Sequence, residues 1–312
     1  MGARMNLATW VTILASAVGA ATPLMFAALG ELVTERAGVL NLGVEGMMLV
    51  GAMSGFAVGV TSGSLWLAYL AAAAAGVLIA LLFGVLTLSL QTNQVATGLA
   101  LTLFGVGLSA FAGRSFVGLP IRPLPALHIP LLSDLPLIGP LLFHYDPLVY
   151  LSLLLCALIA WVLKRTRAGL RLRAVGESPA MAHALGEPVT RIRYLAVLFG
   201  GAMSGIAGAY LSTALTPMWT EGMSAGRGWI ALALVVFGTW KPWRVLAGAY
   251  LFGTVTVLQL YAQGLGVHVP SEFLSMLPYA ATIVVLVVIC RDPKTILLNQ
   301  PASLGRSFHP GY

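Results

Sequence analysis

The stretch LKRTRAGLRLRAVGESPAMAHALGEPVTRIRY, residues 163–194, is the only long polar interval in the second half of an apolar chain. Apolar runs border it on both sides. It carries seven of the 17 Lys and Arg residues, namely Lys164, Arg165, Arg167, Arg171, Arg173, Arg191 and Arg193. Because Lys and Arg close to the ends of membrane spans resist translocation, we expect this loop on the cytoplasmic side of a membrane.

The interior of this loop predicts a short helix from Ser178 to Leu185. Ser178 is suited to the N-cap, and Pro179 is suited to the first helical position, where its missing N–H is not needed. Gly186 can adopt the positive φ of a helix stop, and Pro188 prevents the helix from continuing. A capped helix held in the cytosol by two membrane spans is suited to receive a push from a soluble motor.

The composition of the chain excludes a water-soluble domain. Of its 312 residues, 59% are hydrophobic and only 9% are charged, whereas a soluble domain carries about 25% charged residues. The apolar runs last about 20 residues without alternation, which favours membrane-spanning helices over strands. The net charge of +7 collects between these runs, without the basic stripe and interleaved aromatics of a nucleic-acid site. Cys156 and Cys290 lie inside apolar runs, so we predict packed thiols rather than a disulfide.

We predict an all-α, polytopic bundle of about nine spans that forms a single transmembrane domain, residues 1–312. Seven of the predicted spans are 7–29, 65–90, 95–113, 147–163, 194–216, 245–261 and 273–290. One more lies within 31–64 and another within 221–240. If residues 31–64 re-enter the membrane instead of crossing it, about eight spans result.

The charges predict the orientation of the bundle. With the N-terminus outside and the C-terminus inside, thirteen Lys and Arg residues lie on the cytoplasmic side and four outside, namely Arg4, Arg114, Arg122 and Arg227. Residues 114–147 then form an external loop, in which seven prolines from Pro120 to Pro147 exclude a long helix. Residues 164–193 form the cytoplasmic loop, and residues 291–312 form a cytoplasmic tail.

Small residues predict two faces at which helices approach closely. Gly51, Gly55 and Gly59 repeat at every fourth position of the chain. A longer stripe follows in the next span, made of Ala68, Ala72, Gly76, Ala80 and Gly84. Such stripes let the backbones of neighbouring membrane helices come into contact.

Two stretches predict irregular backbone within the membrane. Polar residues interrupt 31–45, so this stretch is either an interfacial turn or a broken helix buried in protein. The uncharged residues 228–240 reach only about 20 Å as a helix, too short to cross alone. We therefore expect 222–228 to dip in from outside and to continue as a half-helix starting near Gly228 or Trp229. The alternative is a tilted span from Gly222, with Arg227 extending outward to the headgroups.

Polar residues at membrane depth mark a candidate substrate path. Such groups are costly unless they meet water, protein or substrate, so we predict that they face an aqueous path. The alternative is hydrogen bonding between helices. The predicted path residues are Asn41, Glu45, Asn93, Gln94, Thr97 and Trp229. Glu221 and Arg227 are predicted to pair at the outer mouth of this path.

Sequence motifs of catalysis are absent from the chain. It has no G-x-x-x-x-G-K-[ST] phosphate loop, no H-E-x-x-H, no G-x-S-x-G and no Cys or His cluster. We therefore expect a chain that is not an enzyme, that binds no ATP by the phosphate-loop route and that holds no metal. A stand-alone secondary carrier is the less favoured alternative, because no inverted copy of the Asn41–Glu45 pattern appears.

Three separated blocks resemble one protein family: ERAGVLNLGVEGMMLVGA (35–52), TRAGLRLRAVGESPAMAHALG (166–186) and EGMSAGRGWIALALVVFGTWKPW (221–243). They are similar to the bacterial ABC-importer permeases of the branched-chain amino acid and simple-sugar superfamily, and specifically to its nucleoside (guanosine-type) branch. Sugar permeases carry a G-I-D-L-S-type motif where this chain has VLNLG at 39–43. That departure favours a nucleoside over a simple sugar such as ribose or galactose.

The resemblance implies a multi-pass subunit of the bacterial cytoplasmic (inner) membrane with three protein partners. These are a second, homologous permease that completes a heterodimeric pore, an ATPase with two nucleotide-binding domains that binds ATP and Mg, and an external substrate-binding lipoprotein. The predicted loop helix matches the family's coupling helix, which contacts the ATPase. The residues this assigns to coupling are Arg173, Gly176, Glu177, Ser178, Pro179, Ala182 and Gly186.

Overall fold

The computed structural model describes residues 7–127, 130, 138–264 and 299–309, together with single positions between 270 and 287. In these residues the chain forms eleven α-helices and no β-strand. The helices are α1 Leu7–Arg36, α2 Val44–Ser62, α3 Leu65–Gly84, α4 Gln94–Gly113, α5 Ile138–Leu142, α6 Pro147–Arg165, α7 Arg167–Glu177, α8 Pro179–Ala184, α9 Val189–Tyr210, α10 Arg227–Phe237 and α11 Pro242–Gly264. Helices α3 and α9 continue as π-helical turns, Val85–Ser89 and Leu211–Leu215.

Seven helices in the described residues are long and apolar enough to cross a membrane. They are α1, α2, α3, α4, α6, α9 and α11, and α10 is an apolar helix too short to join them. The predicted polytopic helical bundle is therefore confirmed. Most of the predicted span 273–290 lies outside the described residues, so the count of nine spans stays a prediction.

Helix α1 continues beyond the predicted end of the first span at residue 29 and includes three charged residues. Glu31 is 0% exposed, and its carboxylate accepts the amide N–H of Asn41 at 3.1 Å. Glu35 is 1% exposed, and its Oε2 accepts the indole N–H of Trp240 at 2.5 Å. These partners lower the cost of burying the carboxyl groups. The helix therefore runs seven residues past the predicted end of the first span, and the predicted interruption follows within 31–45, at residues 37–43.

The predicted small-residue faces are confirmed as contact faces. A side-chain Cβ added at Gly76 would collide with the carbonyl oxygen of Gly201, and one added at Gly51 would collide with the backbone of Gly205. Helices α2, α3 and α9 thus meet backbone to backbone in the centre of the bundle. Such close approach maximises dispersion contacts where lipid provides no hydrophobic driving force between helices.

The basic loop contains two helices, whereas the sequence analysis predicted one. Helix α8 lies where the helix was predicted; the Oγ of Ser178 accepts the N–H of Met181 at 3.4 Å, and Gly186 has a φ of +84°. Helix α7 was not predicted from the sequence. Thr166 was the available signal, since its Oγ1 accepts the N–H of Gly169 at 3.1 Å and caps α7.

The Pro-rich residues 114–147 contain no long helix among those described, as predicted. Arg114–Phe116 form one 3-10 turn, and α5 has five residues. The extended part forms single bridges from Val117 to Trp219 and from Pro120 to Met218. This loop therefore packs against the chain that leads into α10.

Candidate functional site

Helix α10 begins inside the bundle rather than at its surface. Its 11 residues measure about 16 Å, roughly half of the hydrocarbon thickness of a membrane. Just beyond its C-terminal end, Trp240 contacts Glu35 near the end of α1. We call the end of the bundle that carries residues 164–193 the basic end; α10 runs from the interior to this end. Turns at 221–226 precede it, so the helix is not continuous from Gly222 to Trp240. A short helix, Arg227–Phe237, thus begins next to the predicted start at Gly228 or Trp229, whereas the dip of 222–228 into the membrane from outside stays a prediction.

Glu45, in the first turn of α2, holds the start of α10. Its Oε1 accepts the hydroxyl of Ser224 at 2.6 Å and the N–H of Gly226 at 2.8 Å. Its Oε2 accepts the N–H of Gly228 at 2.6 Å. The carboxylate thus satisfies free N–H groups at a helix N-terminus, where the helix dipole favours negative charge. Glu45 joins two helices that start at the same depth in the bundle.

The side chain of Glu45 is only 6% exposed, and both of its oxygens have protein donors. It therefore matches the alternative of hydrogen bonding between helices more closely than the predicted aqueous path. Arg227 directs its Nη1 to the carbonyl oxygens of Met223 and Ser224, each at 3.2 Å. Its predicted pairing with Glu221, an exposed residue in the preceding turn, stays a prediction.

The loop between α1 and α2 has partners on α1, through Glu31, and on α4. The amide N–H of Leu40 donates to Gln94 Oε1 at 2.8 Å, while Asn41 Oδ1 accepts the N–H of Gly43 at 2.9 Å. Thr102 of α4 donates its hydroxyl to the carbonyl of Leu42 at 3.0 Å. Asn41 and Gln94 are 0% and 2% exposed. These bonds provide partners for irregular backbone at membrane depth, which requires protein or water around it.

The other predicted path residues lie nearer the surface of the chain. Asn93 is exposed and caps α4, its Oδ1 accepting the N–H of Ala96 at 3.0 Å. Thr97 is half-buried and shares a hydrogen bond of 2.8 Å with the hydroxyl of Thr92. Trp229 has 36% of its surface exposed. Access of water to this set of residues stays a prediction.

A cavity of about 660 Å³ lies at the start of α10. Its walls come from the first half of α1, the end of α9 and the second half of α11, so it lies towards the end of the bundle opposite the basic end. Hydroxyl groups and one cation lie among apolar side chains in its lining: Ser16, Thr216, Thr256, Tyr261, Leu260 and Arg227. Sequence reasoning found only Arg227 among these, because isolated hydroxyl residues in apolar helices carry no pattern.

A second network links the ends of α10 and α1 at the basic end. Beyond the contact between Trp240 and Glu35, Arg36 donates Nη2 to the carbonyl of Trp240 at 2.9 Å. Thr239 and Trp240 have φ values of +49° and +53°, and non-glycine residues rarely adopt such values. Arg244 donates to the hydroxyl of Thr239 at 2.7 Å. The role of Glu35 and Trp240 was missed, because their contact joins residues 205 positions apart.

The residues assigned to coupling divide into three groups by exposure. Glu177 and Gly186 are exposed, Arg173, Ser178 and Pro179 are half-buried, and Gly176 and Ala182 are buried. Ala182 packs against Val175 and Val189 within the chain, and its assignment to coupling stays a prediction. Met181 in α8 and Leu185, which directly follows α8, are 69% and 85% exposed and present an apolar surface.

The protein family and the relatives that this chain resembles are all described as permeases. The family described as the permease component of branched-chain amino acid transport systems matches residues 13–286. The chain is 43% identical to a protein of Haloferax volcanii provisionally named a glucose ABC transporter permease, over 95% of this chain and 97% of the relative. It is 35% identical to a nucleoside ABC transporter permease of Lactococcus lactis and 34% identical to a guanosine ABC transporter permease of Bacillus subtilis. Each of these two matches covers 85% of this chain and 88% of the relative.

No solved structure matches the chain. The matched residues 13–286 include every predicted span except the first few residues of the first and the last few of the ninth. The described bundle with its seven long apolar helices, the short apolar helix α10 and the matched family agree on a multi-pass membrane protein. The chain therefore belongs to the permease components of the branched-chain amino acid transport family, within the ABC transporters.

Proposed function

We propose that this chain is a permease subunit of an ATP-driven importer and forms half of the pore for a nucleoside. It crosses the cytoplasmic membrane in nine spans, with its N-terminus outside and the basic end in the cytoplasm. The observation that carries this proposal is the half-helix α10, which starts beneath the cavity and is held there by Glu45. Discontinuous helices near the midplane are a recurring way of building substrate sites in transporters.

Three partners complete the proposed importer. A second, homologous permease supplies the other half of the pore, and an external lipoprotein delivers the substrate. A cytoplasmic ATPase with two nucleotide-binding domains binds ATP and Mg, so this chain needs no cofactor of its own. In this arrangement α7 and α8 receive the movement of the ATPase and pass it to the bundle.

The exposed apolar side chains of α8 provide a specific test of that contact. Leu185→Glu is expected to weaken association with the ATPase at least tenfold, because it places a charge at an apolar docking surface. The thermal stability of the chain itself is expected to stay unchanged, since residue 185 makes few contacts within it. Co-purification of the ATPase, with melting of the purified permease, measures the two effects.

Thr61→Glu is the matched control for this variant. Thr61 is exposed at the opposite end of the bundle, so the same charge is added far from α8. Normal ATPase association in both variants would contradict the assignment of α8 as the coupling helix. A loss in both variants would show that added negative charge, rather than its position, disturbs the complex.

The lining of the cavity favours a nucleoside as the substrate. A nucleoside combines a flat, weakly polar base with a ribose that carries hydroxyl groups. The cavity combines an aromatic and aliphatic wall, including Tyr261 and Leu260, with the hydroxyls of Ser16, Thr216 and Thr256. A hexose presents hydroxyl groups around its whole ring and would need more polar partners. The VLNLG sequence at 39–43 favours the same choice.

A simple sugar is the second candidate, because the relative at 43% identity is provisionally named for glucose. Uptake of labelled guanosine and of labelled glucose by cells that express the whole importer separates the two. We expect guanosine uptake that requires ATP and is not reduced by an excess of glucose. Uptake of glucose alone would replace the nucleoside by a sugar, and uptake of either solute without the ATPase would favour a secondary carrier.

A further inference from the structure

Residues 299–309 cross the basic end of the bundle and form hydrogen bonds with four other parts of the chain. They reach the end of α1, the end of α7, the start of α9 and the turn between α3 and α4. The first of these contacts is a bond of 3.1 Å from Arg36 Nη1 to the carbonyl of Asn299. The sequence analysis treated this region only as part of a basic tail.

Ser303 lies at the centre of these contacts and is 4% exposed. Its backbone N–H and its hydroxyl both donate to the carbonyl of Gly176, at 3.0 and 2.6 Å. Gly176 is the second-last residue of α7, and a Cβ added there would collide with the carbonyl oxygen of Arg36. Ser303 therefore fastens the end of α7 at the point where α7 touches α1.

Arg193, in the first turns of α9, joins the same residues from the other side and is 1% exposed. Its Nη2 donates to the hydroxyl of Ser303 at 3.2 Å, and its Nη1 donates to the carbonyl of Arg306 at 3.0 Å. Its Nε donates to the carbonyl of Ala37 at 3.2 Å. The buried guanidinium of Arg193 has three separate acceptors. It therefore holds α9, the end of α1 and residues 299–309 in one arrangement.

Phe308 connects the segment to α8. It packs against the cluster of Val175, Ala182 and Val189, and its ring meets that of His183 edge to face with centroids 5.5 Å apart. The carbonyl of Phe308 accepts a bond of 3.2 Å from Gln91 Nε2 in the turn before α4. Phe308, which lies 126 positions later in the chain, therefore contributes to the burial of Ala182.

We propose that residues 299–309 join the coupling helices α7 and α8 to α1 and α9, so that a displacement of α7 and α8 moves both spans together. The inference rests on the proposed function for the source of that displacement. Without the segment, α7 and α8 would keep their chain connections to α6 and α9 and the contact of Gly176 with Arg36, but would lose the hydrogen bonds by which Ser303 links α7 to Arg193 of α9. Ser303 and Arg193 are positioning residues in this device. They act through α7 and α9 and touch no substrate.

The first test measures hydrogen–deuterium exchange in the permease purified with its ATPase. Ser303→Val removes the side-chain donor to Gly176 and the acceptor for Arg193 while keeping the backbone N–H, and we expect exchange in residues 167–185 to become at least tenfold faster. Ser307→Ala is the control, because Ser307 is exposed in the same segment. Exchange in α2 and α3 should stay unchanged in both variants, which separates local release from unfolding. If Ser303→Val does not fold, Ser303→Ala and Phe308→Ala provide the same measurement with smaller changes.

The second test measures how many ATP molecules are hydrolysed for each guanosine transported. Ser303→Val and Arg193→Lys are expected to keep ATPase association within twofold of the unaltered protein and to raise ATP consumption per transported molecule at least fivefold. Unchanged exchange in residues 167–185 together with unchanged coupling would overturn the inference. Failure of the unaltered permease to bind the ATPase would instead refute the proposed function, and the exchange measurement on the permease would still decide whether residues 299–309 hold α7 and α8.

Discussion

Replacing Glu45 with glutamine is expected to lower transport at least tenfold and to destabilise the permease by about 1–3 kcal/mol. The new amide group would place an N–H donor opposite one of the N–H and O–H groups that the carboxylate now accepts from Ser224, Gly226 and Gly228. A buried donor without an acceptor costs its full desolvation energy, and in a membrane no water replaces the lost partner. The start of α10 would then leave its place beneath the cavity.

Glu187→Gln is the matched control, because it makes the same chemical change at a surface ion pair. Glu187 accepts Arg171 at 2.9 Å, with the two side chains 25% and 60% exposed, and such pairs contribute about 0–1 kcal/mol. Thermal unfolding in nanodiscs measures both variants, and uptake of guanosine measures transport. Equal stability of the two variants would show that the carboxylate of Glu45 is not needed to hold α10.

Replacing Gly208 with alanine is expected to destabilise the bundle by at least about 2 kcal/mol, at the upper side of the range for overpacked cores. The added methyl group would collide with the carbonyl oxygen of Met48, which belongs to the backbone of α2 and has no rotamer by which to move away. Helices α2 and α9 would have to separate. Contacts made at Gly51 with Gly205 would loosen as a result.

Gly19→Ala tests whether this effect comes from the contact and not from the substitution. Gly19 is also helical, and nothing lies within 4 Å of a Cβ added there. Alanine forms helices better than glycine by about 0.8–1.0 kcal/mol, so this variant should be neutral or more stable. The melting temperatures of the two variants in the same nanodiscs give the comparison. A Gly208→Ala variant as stable as Gly19→Ala would mean that α2 and α9 are not packed at this contact.

The class of protein, most of its spans and the helix α8 could be predicted from the sequence, because each depends on local patterns. Apolar runs that are long enough to span a bilayer indicate a membrane protein directly. The cap at Ser178 and the stop at Gly186 involve neighbours within a few residues. The short helix α10 could also be predicted from local sequence, because the apolar stretch before Lys241 is too short to cross a membrane.

The partners of the buried charges required the three-dimensional arrangement. Glu45 contacts residues about 180 positions away, and Glu35 contacts Trp240 across 205 positions. From the sequence, polar residues at this depth indicated either water or hydrogen bonding between helices, and no local pattern distinguishes the two. The placement of Glu45 on an aqueous path, which stays a prediction, and the end of the first span at residue 29 both followed from counting a charge as a cost without knowing its partner. Arg193, Ser303 and Gly176 form a junction for the same reason: three chain segments that carry no shared motif become neighbours only when the bundle is folded.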